Sequence, residues 1–195
     1  MTHVERYHYL IEQLAPRLSE TEMEQVRRAY ALAEAAHCGQ TRDEGTPYII
    51  HPVRVAIALV DELDIHSPEL VCAALLHDVI EDSPTTREEI AGEFGEEIAD
   101  VVWLLTKLED VSLSDYLAAI EAASETGAPV VKLCDRLDNL RSLADSPKIA
   151  KKHSYIRTTE AFYLPMASRT SSYLHAEISR LLEEVRLQVR QFDQA

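Results

Sequence analysis

The sequence predicts an all-α protein. Apolar residues recur at spacings of three and four along almost the whole chain, the pattern of one buried helical face. Glycine occurs only 5 times in 195 residues, while Ala, Leu, Glu and Arg, all strong helix formers, are plentiful. Short polar stretches holding Ser, Thr, Gly or Pro separate the periodic segments where helix ends would fall. A chain of this length suits one domain that buries most of its surface without staples, so residues 1–195 read as a single compact multi-helix bundle.

Residues 3–14 form a first amphipathic helix that stops near Pro16. Thr21 and Glu24 have capping-box spacing, so a second helix is expected from there to about Ala36, with Met23, Val26, Tyr30, Leu32, Ala33 and Ala36 as its apolar positions. The connection His37–Pro47 is the longest polar, Gly-containing one in the first half and the first place to expect substrate contacts. Tyr48-Ile49-Ile50-His51-Pro52 opens a helix from Val53 to about Leu63. Ser67 as N-cap and Pro68 at the first helical position begin the most apolar helix, through Val71-Cys72-Ala73-Ala74-Leu75-Leu76. Pro84 ends it, because the residue before a proline is pushed out of the α region.

Thr85-Thr86-Arg87-Glu88-Glu89 offers two overlapping capping boxes for a helix ending at Phe94-Gly95. Glu96 to about Leu105 follows, carrying Trp103. Ser112 and Asp115 cap another helix to about Thr126, ended by Gly127 and Pro129. Val130 to about Ala144 has the apolar stripe Val130, Leu133, Leu137, Leu140 and Ala144. Lys132, Asp135, Asn139 and Ser142 line up opposite; with Val131 and Cys134 flanking them, this seam suggests a cleft rather than open water. A helix from about Lys148 to Arg169, interrupted near Pro165, precedes a terminal one from about Ser172 to Phe192. Leu174, Ile178, Leu181, Leu182 and Val185 on the last helix suit either core packing or a homodimer seam.

The formal net charge of −15 argues against duplex nucleic acid or an anionic membrane as the partner. A small phosphorylated substrate stays compatible, because a metal and a few basic side chains can make one positive pocket. No apolar run is long enough to span a bilayer, and the opening residues lack a signal peptide's apolar core. Cys38, Cys72 and Cys134 are odd in number and unpaired in spacing, which suits free thiols in a reducing cytoplasm.

His77-Asp78-Val79-Ile80-Glu81-Asp82 packs one imidazole and three carboxylates into six residues behind the apolar run. In an uninterrupted helix His77 sits beside Glu81, and Asp78 beside Asp82. Acids at a helix C-terminus are repelled by its dipole at ~0.3–1 kcal/mol each. A solvated acidic helix end would tolerate that, and a metal held by His77 and Asp78 would relieve it. Mixed imidazole and carboxylate ligation suits a hard or borderline divalent ion, and His51 and Asp135 complete a candidate set on three separate helices.

The H…HD…D pattern in an all-α chain resembles the HD superfamily of metal-dependent phosphohydrolases. More narrowly, Gly39-Gln40-x-Arg42-x-x-Gly45-x-Pro47-Tyr48-Ile49-x-His51-Pro52 looks like the opening of the hydrolase domain of RelA/SpoT homologues. So do Ala74–Asp82, Phe94-Gly95, Thr106-Lys107-Leu108 and Val131–Leu143. The resemblance covers about residues 25–170 and leaves no room for a synthetase domain, so the expectation is a stand-alone small alarmone hydrolase.

That resemblance implies one Mn²⁺ per chain, held by His51, His77, Asp78 and Asp135, and removal of the 3′-pyrophosphate from (p)ppGpp-like nucleotides of the stringent response. Glu81 and Asp82 would carry the hydrolytic chemistry, and Arg42, Asn139 and Ser142 would contact the nucleotide. The two neighbouring acids are expected to titrate as a unit. Three features depart from the family pattern. Asp43-Glu44 stands where a basic residue and then Ser are common, Ser142 where Thr is usual, and Asp138 where His is common. Guanine and adenine alarmones, (p)ppGpp and (p)ppApp, both remain open. The alternatives are another HD phosphohydrolase acting on a different nucleotide or dinucleotide phosphate, and a non-catalytic binding module. Arg42 has a competing role as a salt bridge to Asp43 or Glu44. His37 is expected to bond the 39–47 loop, and His66, His153 and His175 to sit at the surface or core edge.

Overall fold

Helices carry the chain in the computed structural model, which describes residues 1–143 and 146–193. The α-helices are α1 (His3–Leu14), α2 (Glu20–Ala36), α3 (Ile50–Ile57), α4 (Pro68–Leu76), α5 (Val79–Asp82) and α6 (Arg87–Phe94). They continue as α7 (Glu96–Leu105), α8 (Leu113–Ala122), α9 (Ala128–Leu143), α10 (Ile149–Thr158), α11 (Leu164–Thr170) and α12 (Ser172–Asp193). Among the described residues the only β pairing is an isolated bridge between Thr41 and Pro47, so the chain is all-α.

α4 is the hub. Val71–Leu76 are fully buried, and the helix packs against α2, α3, α7 and α9. An element apolar on every side has to sit inside the protein. α9 is the second hub, packed on α3, α7 and α12, and its polar side chains are buried with its apolar ones. Leu174, Ile178, Leu181, Leu182 and Val185 of α12 are buried, the core-packing alternative for that helix. Ala144, expected in the stripe of α9, lies outside the described residues.

Several expected boundaries shift for local reasons. The cap of α2 is Ser19, whose hydroxyl meets the Glu22 N–H while the Glu22 carboxylate accepts from the Ser19 N–H at 2.7 Å, so Thr21 and Glu24 fall inside the helix. Of the two overlapping boxes, Thr86 with Glu89 is the one used. Gly95 does follow Phe94 and adopts φ +94°, at the junction of α6 and α7. Pro129 does not end a helix but stands in the first turn of α9, where its missing N–H costs nothing. Gly127 makes the turn before it in the left-handed region, φ +76°, and a Cβ there would meet Leu70 Cδ atoms at 2.7 Å. The helix expected from Val53 begins at Ile50, placing His51 in its first turn, and continues as a π turn over Ala58–Glu62.

The largest difference is in the central segment. The helix is not continuous to Asp82: it breaks at His77-Asp78, where Asp78 has φ −101° and ψ −3°. The Ala74 carbonyl, which a continuing helix would offer to the Asp78 N–H, accepts the His77 Nδ1–H at 2.8 Å. One main-chain bond, Asp82 N–H to Asp78 O, restarts the short α5. Consecutive side chains on a regular helix diverge by about 100°. The break is what allows His77 and Asp78 to reach one point.

Candidate functional site

That point lies where α3, the α4–α5 break and α9 meet. His51 Nε2 is 3.2 Å from Asp135 Oδ1 and 3.7 Å from Asp78 Oδ2. His77 Nε2 is 3.1 Å from Asp78 Oδ2 and 4.0 Å from Asp135 Oδ1. Donor atoms of His51, His77 and Asp78 lie within 4.8 Å of one another, and Asp135 faces them from α9. Both imidazoles are 1 % exposed. The Nε2 of His77 is buried without a hydrogen-bond partner among the described residues.

Each ring is oriented from its far side. His77 Nδ1 meets the Ala74 carbonyl, and His51 Nδ1 meets Asp138 Oδ2 at 2.6 Å. Carbonyl and carboxylate oxygens only accept, so each Nδ1 carries the hydrogen and each Nε2 faces the cluster. The Tyr48 hydroxyl donates to Asp78 Oδ2 at 2.6 Å, and Lys132 Nζ pairs with Asp135 Oδ2 at 2.9 Å.

The charges fit a cation. Burial works against ionisation of His51, but bonds to Asp135 and Asp138 outweigh it and raise the ring to about 9. His77 is likewise raised, burial being overcome by Asp78. Asp78, partly buried, and Asp135, buried, are held well below the usual carboxylate range, the first by both imidazoles and the second by Lys132 and both imidazoles. Raised imidazoles beside lowered carboxylates mark the place where a divalent ion would balance the two acids. The separations suit donors around one ion with bonds of about 2.0–2.2 Å. Two imidazole nitrogens and two carboxylate oxygens, one nitrogen orphaned, fit a divalent metal.

His51, Asp78 and Asp135 line a cavity of about 340 Å³, with His77 behind them. Arg42, Lys132, Arg136 and Lys151 line it with Asp43, Glu44, Asp78 and Asp135. Arg42 donates to Asn139 Oδ1 at 3.0 Å and stands 3.5 Å from Glu44, so the competing salt bridge forms inside the cavity rather than on the surface. Asn139 in turn donates to Asp135, tying the Arg42 wall to the cluster. Ser142 lines the cavity, and its hydroxyl accepts from Arg54 at 2.7 Å. The seam of Lys132, Asp135, Asn139 and Ser142 does face a cleft.

Glu81 and Asp82 stand one turn beyond the cluster and point apart. Glu81 accepts from the Lys107 N–H at 2.5 Å. Asp82 is 3.9 Å from His37 Nδ1. Both carboxyls are raised by burial, with Asp78 the main acid acting on each. Asp82 also raises Glu81, by less than Asp78 does. His37 bonds Gln40 at 2.9 Å and so braces the 39–47 loop as expected.

Asp43, which stands where the resembled family commonly has a basic residue, is itself charge-paired. It pairs with Lys148 at 2.6 Å and Lys151 at 2.7 Å, latching the loop to α10. The two ammonium groups hold its carboxyl well below the usual range. Sequence reasoning gave no role to Tyr48, Arg54, Asp138 or Arg136. Arg136 lies between the rings of Tyr155 and Tyr163, 4.5 and 3.7 Å from their centroids. The available signal was position: Asp138 is three residues from Asp135 on one helix.

The HD domain profile matches residues 29–172. A guanosine-3′,5′-bis(diphosphate) 3′-pyrophosphohydrolase of Vibrio cholerae is 38% identical over 162 residues, which is 78% of this chain and 22% of that protein. The bifunctional (p)ppGpp synthase/hydrolase SpoT of Escherichia coli K12 is 37% identical over the same shares. The chain thus spans about a fifth of the length of these curated relatives. A solved structure, described as a metazoan ortholog of SpoT that hydrolyzes ppGpp and plays a role in starvation responses, superposes with a TM-score of 0.71. It covers 86% of this chain and 96% of its own at 24% identity, a likeness of fold.

Proposed function

This chain belongs to the HD domain family, and from that premise we propose that it is a metal-dependent 3′-pyrophosphohydrolase of alarmone nucleotides, (p)ppGpp, (p)ppApp or both. The observation that carries the reading is the convergence of His51, His77, Asp78 and Asp135, three of which line a cavity that also holds Arg42, Lys132, Arg136 and Lys151. The relatives named as hydrolases of the guanosine compound support the substrate class.

The four residues would hold one Mn²⁺. A divalent ion there supplies a polarised phosphoryl oxygen and a lower pKa for water. The reaction adds water across the bond between the nucleoside 3′-oxygen and phosphorus, releasing pyrophosphate and leaving the nucleoside with its 5′-di- or triphosphate. The water proton needs an acceptor near the ligands but outside them. We assign that role to Glu81 and Asp82, one turn beyond the ligands and both raised above ordinary carboxylates. Arg42, Asn139 and Ser142 line the part of the cavity that would take the nucleotide. All these groups come from one chain. A nucleotide substrate and three free thiols support a cytoplasmic location; among the described residues no helix is long and apolar enough to cross a membrane.

Phosphate and pyrophosphate release should be followed from ppGpp, ppApp and GDP, with Mn²⁺ and with EDTA. We expect Mn²⁺-dependent pyrophosphate from at least one 3′-pyrophosphorylated nucleotide, with activity lost in Asp78→Ala. Orthophosphate from GDP instead would move the assignment to another HD phosphohydrolase.

A further inference from the structure

We propose that Asp138, anchored by Arg54, is a positioning residue that holds His51 as a ligand and thereby sets the affinity of the site for its metal. This rests on the metal reading of the cluster and on no particular substrate.

Asp138 is 2 % exposed and lies on the side of the His51 ring away from the other donors. Its Oδ2 takes the Nδ1–H, which leaves Nε2 directed at Asp135 and Asp78. A ring free to rotate would present Nε2 only part of the time. An ionised acceptor also makes the imidazole a stronger donor to a cation. His77 is oriented by a main-chain carbonyl, which no side-chain change removes. His51 depends on a side chain, so its orientation is the adjustable one.

A buried carboxylate needs a counter-charge. Arg54 supplies it, with Nε 2.6 Å from Asp138 Oδ1 and Nη2 3.1 Å from Oδ2. The same Nη2 is fixed by Ser142 Oγ at 2.7 Å. Arg54 is one turn after His51 on α3, and Asp138 and Ser142 are one turn apart on α9. Two helices are thus joined around the far side of one ligand. Where the resembled family commonly has His, this chain has an acid and an arginine that neutralises it. A simpler view makes Asp138 only a tie between α3 and α9, with its bond to His51 incidental.

Metal titration separates the two. Mn²⁺ affinity of the metal-free protein is measured by calorimetry, and thermal stability by circular dichroism, for wild type, Asp138→Ala, Asp138→Asn and Arg54→Met. Asp138→Ala should bind Mn²⁺ about 10–100-fold more weakly. Asp138→Asn keeps a carbonyl that accepts from Nδ1 and should recover most of that loss. Arg54→Met breaks the tie but leaves the acceptor, so it should lower Tm at least as much while weakening Mn²⁺ less than Asp138→Ala. Equal Tm losses with Mn²⁺ affinity within twofold of wild type in all variants would overturn the proposal. No Mn²⁺ binding by wild type would overturn it together with the metal reading. Binding without alarmone hydrolysis would overturn only the substrate assignment. If Asp138→Ala does not fold, Asp138→Asn against Arg54→Met carries the same comparison.

Discussion

Glu81 and Asp82 are adjacent in sequence yet have different neighbours, and that difference predicts different roles. Glu81 is bound to the Lys107 N–H, which stabilises its ionised form and fixes its direction. Asp82 has His37 at 3.9 Å and is raised by burial and by Asp78, so it is the better placed to accept a proton. Asp82→Asn should therefore lower kcat by about 10²–10⁴, the range for loss of a general base. Glu81→Gln, which keeps an acceptor for Lys107, should cost less. Equal losses in single-turnover rate would instead support a shared role. The sequence made the two acids legible but not their separation, because side-chain direction here is decided by a loop 26 residues away. Asp138 was illegible for the same reason: its partners are 84 and 87 residues distant.

Some caps were read from local sequence, although Ser19 and not Thr21 caps α2 and Pro129 begins α9 rather than ending a helix. Ser67 does accept from the Leu70 N–H with Pro68 at the start of α4, and Ser112 caps α8. The break between α4 and α5 was not readable, because it depends on what His77 and Asp78 meet on α3 and α9. The loop before α3 offers a test at this scale. Asp43 holds it to α10 through Lys148 and Lys151, two ammonium groups beside the cavity. Asp43→Asn releases both. The KM for a polyphosphorylated nucleotide should fall at low ionic strength, and the gain should shrink as salt screens the exposed lysines. An unchanged KM at low salt would mean that the lysines do not reach the substrate.

At the scale of the whole molecule, the His51, His77, Asp78 and Asp135 cluster is a charge network whose balance changes with pH. His51 is raised from its ordinary 6.5 to about 9, so its protonated form contributes stability fully present below about pH 6.5 and lost as pH rises to about 9. Asp78 and Asp135 are lowered, so their contribution is present above the ordinary carboxylate value and lost in acid. Growing negative charge on a chain already at −15 adds to the loss at high pH. The metal-free protein should therefore show a Tm that declines between pH 6.5 and 9. A cation competes with the imidazole protons, so the rise in Tm on adding Mn²⁺ should grow over the same interval. A Mn²⁺-induced rise that is flat from pH 6.5 to 9 would contradict the assignment of the imidazoles as ligands.

The kink at His77-Asp78 has a further consequence for how a cation would be gripped. Two residues joined by a single peptide bond give one donor atom each to the same place, so together they act as a chelating arm. Once either atom is engaged, the other is held at high effective concentration. Removing one arm atom also strips the other of that advantage. The losses on deleting His77 and Asp78 are therefore expected to overlap, the double change costing less than the two single changes added together.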